Sequence, residues 1–154
     1  MARLNARRMP TFAGLVAALL LAVLGVGVSE LTRAYFDEGY PLTWLHPVAA
    51  FMGLIVGWFF TGPKLQKGTG SPIAIGLTSS VVQTLLTLFA FASELMLDRA
   101  LRNSYATVME AVAGVFEAML DYGLKVAQPD VVVAILVGGV VVGSITAWVA
   151  RRSR

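Results

Sequence analysis

The chain has 154 residues, of which 57% are apolar and only 14% charged, with a mean hydropathy of +0.76 and a formal net charge of +3. Soluble proteins carry about 45–50% apolar and about 25% charged residues. One domain's length of chain cannot hide the excess from water, and intrinsic disorder needs the opposite balance, so the expected solvent is a lipid bilayer. Cysteine is absent and there is one histidine, which excludes disulfides, thiol redox chemistry and Cys/His metal cages.

A hydrocarbon core of about 30 Å takes about 20 helical residues to cross. Four stretches meet that length, at 11–29, 43–61, 72–95 and 131–150. The first, TFAGLVAALLLAVLGVGVS, follows Pro10, with Thr11 as its expected N-cap, and ends where Glu30 and Arg33 appear. An arginine-bearing start before an apolar run is also the pattern of a cleaved signal peptide, and Gly25-Val26-Gly27 offers small residues for cleavage. The run is longer than a usual signal core and leads into no soluble domain, so a retained span is the reading adopted.

The second stretch places Trp44 and Trp58 near opposite ends, as amphipathic rings at two interfaces would be, with Gly62-Pro63 as its expected stop. Pro47 belongs in its first turn, where a missing N–H is harmless. Ser71-Pro72 opens the third as N-cap and first helical residue. Asp130 is expected to cap the fourth, which ends at Trp148 and an arginine tail.

Charge alternates along the connections. Arg3, Arg7, Arg8, Lys64, Lys67, Arg151, Arg152 and Arg154 fall in three segments without an acid, whereas all nine acids fall in the other two, against Arg33, Arg99, Arg102 and Lys125. Basic residues resist translocation, so both termini are expected in the cytoplasm. The fold class expected is therefore all-α integral membrane, with four transmembrane helices and N-in/C-in topology.

The long outer connection is expected to hold an extra amphipathic helix over about 104–126, with Val108, Val112, Val115, Met119 and Val126 on its apolar side. Glu110, Glu117, Asp121 and Lys125 fall on another side, and Gly114 and Gly123 interrupt the arc. Asp98 with Arg102, and Asp121 with Lys125, are spaced to pair across one turn.

Three groups of residues are candidates for function. Gly76, Ser80, Gln83, Thr87, Ala90 and Glu94 recur at three- or four-residue steps and share a face of the third span, either as a helix-packing stripe or as a hydrated path. Gly53 with Gly57, and Gly139 with Gly143, are GxxxG pairs at which helices approach closely and could accept hydrogen bonds from that stripe. Glu30, His46 and Glu94 stand near the outer boundary, where they are either solvated at the interface or gathered for a cation or a proton.

The inner loop GPKLQKGTGSP carries Lys64 and Lys67 suited to anionic headgroups and does not match the nucleotide-binding pattern GxxxxGK[ST]. No Ser/His/Asp set, HExxH or GxSxG motif occurs, so no catalytic residue, metal site or cofactor is expected, and nothing points to nucleic acid. The partners expected are the bilayer and either further copies of the chain or another membrane protein.

In the order of its motifs the chain resembles the TrgA family of small bacterial membrane proteins associated with tellurium resistance. The likeness runs through MPT at Met9 to Thr11, SEL at Ser29 to Leu31, GLIVGWFFTGP at Gly53 to Pro63, EAVAGVFEAMLDYG at Glu110 to Gly123 and LVGG at Leu136 to Gly139, ending at Trp148 and the arginine tail. Family members begin at the residue corresponding to Met9, so residues 1–8 depart from the pattern. The resemblance implies an inner-membrane protein that contributes to tellurite tolerance without a catalytic residue. The alternatives from the residues alone are a small oligomeric transporter or channel using the third-span stripe, and a scaffold whose outer helix binds a partner.

Overall fold

In lipid a chain must satisfy its backbone N–H and C=O groups within itself, and the long apolar stretches do so as helices. The computed structural model describes residues 12–36, 42–102 and 106–152. Thr11, the arginines ahead of Met9, Ser104 and Arg154 lie outside the described residues. Helix α1 is Phe12–Arg33. A 3-10 turn, Leu42–Trp44, leads into α2, Leu45–Val56, which continues through a wide π turn, Gly57–Thr61, into the short α3, Gly62–Gln66. Then come α4, Pro72–Leu101, α5, Val108–Val126, and α6, Pro129–Arg152. No strand occurs among the described residues. Four helical segments, Phe12–Arg33, Leu42–Gln66, Pro72–Leu101 and Pro129–Arg152, are long and apolar enough to cross a membrane, which makes this a multi-pass membrane protein.

Pro47 sits in the first turn of α2 as expected, but Gly62-Pro63 does not stop the second span. A proline lacks the N–H for the next helical bond and crowds the preceding turn. Here the backbone widens just before it, with Gly62 N–H bonding to Gly57 O five residues back, and the helix resumes to Gln66. The turn that follows uses Gly68 and Gly70 at φ 64° and 98°, values that suit glycine. Two other boundaries also move. Helix α1 runs through Glu30 to Arg33, and Asp130 is the second residue of α6 instead of its cap.

Small residues let the spans pack backbone against backbone. Along the antiparallel α1–α2 contact, a Cβ at Gly53 would fall 2.6 Å from Leu21 O, and one at Gly57 would strike the Ala18 backbone. Along α4–α6, Gly139 and Gly143 interleave with Gly76, and a Cβ at Gly76 would fall 2.8 Å from Gly143 Cα. The GxxxG pair of the second span therefore meets α1 and not the α4 stripe, whereas that of the fourth span meets α4 directly. Between these seams lie three apolar layers: Leu65, Ile75 and Ala147; then Leu21, Val56 and Val142; then Leu45, Phe91, Ala92, Ala118 and Tyr122. Lys64, Lys67, Arg151 and Arg152 belong to the end of the bundle nearest the first layer, and Glu30, Glu94, Asp98 and Asp130 to the opposite end, called below the basic and acidic ends.

Helix α4 has 30 residues, about 45 Å at 1.5 Å each, and outruns the other spans at the acidic end. There α5 folds back along it, with Val115, Ala118, Met119 and Tyr122 against Leu88, Phe91, Ala92 and Leu95. Helix α5 starts at Val108, later than expected, because Thr107 caps it. The Thr107 hydroxyl accepts from Glu110 N–H at 3.2 Å, and Glu110 Oε2 accepts from Ala106 N–H at 2.9 Å. It runs unbroken through Gly114 and Gly123. Its packed face keeps only part of the expected apolar side: Val115 and Met119 pack against α4, but the buried line is Ala111, Gly114, Ala118 and Tyr122, and Val108 and Val112 are exposed. Close approach to α4 selects small side chains over branched ones. A second apolar band, Met109, Phe116, Leu120 and Leu124, faces outward, with Phe116 62% exposed. Asp98 and Arg102 pair at 3.2 Å, and Lys125 Nζ lies 4.5 Å from the centre of the Phe36 ring.

Candidate functional site

Helices α1, α2 and α4, the end of α5 and Ile135 of α6 line a partly open cavity of about 50 Å³. Gln83 is the polar residue at its centre. The helical period of α4 turns Gly76, Ser80 and Gln83 inward, and Gln83 is 3% exposed. Its Nε2 donates to Leu21 O on α1 at 2.7 Å and to Ala49 O on α2 at 3.3 Å. The two carbonyls settle which end of the amide is nitrogen, since an oxygen there would face two acceptors. Oε1 is then left buried without a donor. Such a group costs about 1–3 kcal/mol, so it needs an occupant or a reason. Gly25 makes the arrangement possible, because a Cβ at that position would strike Gln83 Nε2.

Ser29 and Thr32 from α1, and Ser80, Thr84 and Thr87 from α4, also line the cavity. Each hydroxyl donates to a carbonyl of its own helix: Ser29 to Gly25 at 2.7 Å, Thr32 to Val28 at 2.7 Å, Ser80 to Leu77 at 2.9 Å, Thr84 to Ser80 at 2.9 Å and Thr87 to Gln83 at 2.8 Å. The rest of the wall is apolar and aromatic apart from the buried Tyr122 hydroxyl, with the Phe36 and Phe91 rings 5.2 Å and 5.1 Å from that of Tyr122. Among the described residues, none of those lining the cavity is an Asp, Glu, Lys, Arg or His.

The expected α4 stripe thus divides. Gln83, Ser80 and Thr87 face the cavity, while Glu94 lies farther along with Trp44 and Asp98. One turn toward the basic end, Ser79, which the stripe did not include, accepts from Thr61 at 2.7 Å and donates to Ile75 O at 2.7 Å, joining α4 to the π turn. Of the boundary set, Glu30 and His46 come together: Nε2 lies 2.7 Å from Glu30 Oε1, with the carboxylate side chain 58% exposed. This is an ion-pair distance without the directional geometry of a hydrogen bond, so the contact works through charge when the imidazole is protonated. Glu94 does not join them, and no group of three His, Asp or Glu side chains among the described residues is placed to hold a metal ion.

A second contact stands at the acidic end. Tyr35 OH donates to Asp130 Oδ2 at 2.7 Å, tying the end of α1 to the start of α6. That hydrogen bond, followed by desolvation and the carboxylate charge, raises the phenol above its ordinary pKa of 10.0.

Ser29 and Thr32 of α1 line the cavity as well, although neither belongs to the α4 stripe. Gly25, Ser29 and Thr32 follow at steps of four and three and could have been read as an inward face of α1. At the basic end Lys64 Nζ lies 3.6 Å from the Phe60 ring centre and Arg152 lies 4.2 Å from Trp148, cation–aromatic pairs suited to an interface. Compared with known proteins, this multi-pass chain matches no family model, no curated protein and no solved structure.

Proposed function

We propose that this chain is a non-enzymatic protein of a bacterial inner membrane, with both termini in the cytoplasm, that contributes to tellurite tolerance by changing how the membrane admits, exports or withstands the oxyanion. The observation that carries the membrane part of this reading is the sorting of charge between the two ends of the bundle. Lys64, Lys67, Arg151 and Arg152 share one end, the cytoplasmic one under the positive-inside rule. The link to tellurite rests on the TrgA-like motifs. A retained first span is supported by α1 forming a wall of the Gln83 cavity and one side of the Gly53 seam.

A channel through a single chain is not favoured. The cavity lining stops at Ser80 on α4, and beyond it lie the Leu21, Val56 and Val142 layer and the bond from Thr61 to Ser79. The outward apolar band of α5 supports a role at the membrane interface, with Glu110, Glu117 and Asp121 toward water and Met109, Phe116, Leu120 and Leu124 toward lipid or another membrane protein.

The test compares cells with and without the gene in tellurite, measuring survival and intracellular tellurium, beside purified protein given tellurite and an electron donor. The chain has no thiol and no flavin or nicotinamide fingerprint, so expression should change survival and accumulation while the purified protein reduces nothing. Unchanged survival and accumulation would reject the tellurite reading. Blackening by the pure protein would reject its non-enzymatic character.

A further inference from the structure

Near its end, α6 carries Ser144, Trp148 and Arg151 at steps of four and three, so they share one face. Helix α4 begins beside that face, behind Ser71-Pro72. Gly143 has no side chain to hold the two apart, since a Cβ there would overlap the Pro72 carbonyl. A groove of about 400 Å³ opens along this seam at the basic end, with Ser71 and Ile73 on one bank and the α6 face on the other. Ligand sites commonly occupy about 300–1,000 Å³. We infer that this groove binds one anionic phospholipid, held by its phosphate and hydroxylated headgroup.

Depth fits such a guest. Ser144 and Arg151 stand about 10 Å apart along α6 at 1.5 Å per residue. The headgroup region adds about 5–8 Å to each side of the hydrocarbon core. With Arg151 among the phosphates, Ser144 therefore reaches the level of the glycerol esters. Charge selects the headgroup. Lys64 and Arg152 rest on the rings of Phe60 and Trp148, whereas Arg151 has no carboxylate partner among the described residues. Its exposed guanidinium offers a fork of N–H donors that matches a phosphodiester. The positive end of the α4 dipole adds to the same field. No Asp or Glu lines the groove, so the cation of a choline or ethanolamine headgroup finds no counter-ion there. Ser71, whose hydroxyl does not cap α4, and Ser144 are both exposed, and each can donate to or accept from the hydroxyls of a glycerol headgroup. Ile73 and Trp148, 48% and 56% exposed, give an acyl chain an apolar surface that a free phosphate would leave bare. The lipid is for that reason the source of the phosphate.

Such a site needs only that the basic end stand in a headgroup layer, and it is indifferent to tellurite. The test uses the full-length chain in a neutral detergent, with bound lipid counted by native mass spectrometry. Phosphatidylglycerol and phosphatidylcholine with the same acyl chains are titrated separately. Phosphatidylglycerol should bind saturably, one per chain, and phosphatidylcholine about tenfold or more weakly, since it brings a cation with no partner in the groove. Arg151→Gln should weaken phosphatidylglycerol binding by about tenfold or more through loss of the charge-assisted bonds. Lys64→Gln removes the same charge from the same end but outside the groove, and should leave the affinity unchanged. Inorganic phosphate at the lipid's concentration should not displace it. Equal binding of the two lipids, equal losses in the two variants, or displacement by phosphate would overturn the site. The comparison of lipids on the unsubstituted chain decides the matter even if a variant does not fold.

Discussion

Two glycines that look alike in sequence are expected to respond in opposite directions to the same substitution. Gly27 in α1 has nothing within 4 Å of the place a Cβ would take, whereas a Cβ at Gly143 in α6 would fall 3.1 Å from Gly76 Cα and overlap the Pro72 carbonyl. Alanine in place of glycine favours a helix by about 0.5–1 kcal/mol, and Gly27→Ala should realise that gain. At Gly143 the same gain is opposed by overpacking, which costs about 1–3 kcal/mol. The obstruction is backbone and cannot rotate away. If α6 retreats by 0.5–1 Å to make room, each contact along the seam forfeits about a quarter to a half of its dispersion energy. Gly143→Ala should therefore lose about 1–2 kcal/mol net, and the two variants should differ by about 1.5–3 kcal/mol. Reversible unfolding in lipid–detergent bicelles, by steric trapping or detergent titration, measures the difference. Equal stability of the two variants, or a more stable Gly143→Ala, would show that α4 and α6 do not meet at Gly76 and Gly143.

The remaining predictions concern topology and the acidic end. In this cysteine-free chain, a cysteine at Thr69 should resist a membrane-impermeant thiol reagent in intact cells and one at Gln128 should react, and the reverse pattern would reject N-in/C-in topology. Thr107→Ala should cost about 1 kcal/mol in the first turn of α5, because the Glu110 N–H loses its cap, seen as faster amide exchange at Met109 and Glu110 with the spans unchanged. Tyr35 should ionise above its ordinary pKa and return toward it in Asp130→Asn, read from the difference in phenolate absorbance between the two proteins. Because the folded pKa is raised, the stabilising contribution is full below pH 10.0 and is lost as pH rises through the raised value.

Helices and their solvent were legible in the sequence because the bilayer imposes a one-dimensional rule: about 20 apolar residues in a row must be a helix, wherever else the chain goes. Ser71-Pro72 marked the start of α4 for the same local reason, and so did the place of Pro47 within α2. The clustering of unlike charges at opposite ends also follows from segment order alone. The end of the second span did not, because whether Pro63 stops a helix depends on what holds the turn before it. Here the Gly57–Thr61 turn widens, and Thr61 is held by Ser79, eighteen residues away. Helix α5 was recognisable as amphipathic, but which of its faces is buried was set by α4, against which the line of Ala111, Gly114, Ala118 and Tyr122 packs with Val115 and Met119 beside it. The Gln83 site belongs wholly to the tertiary structure. A periodic stripe says that Gln83, Ser80 and Thr87 share a face. That its nitrogen reaches Leu21 and Ala49, that Gly25 makes room, and that Ser29 and Thr32 of α1 line the same cavity as Ser80, Thr84 and Thr87 of α4 depend on how the helices cross. Crossing is decided by which side chains interlock at contacts remote in sequence, and no local period encodes it.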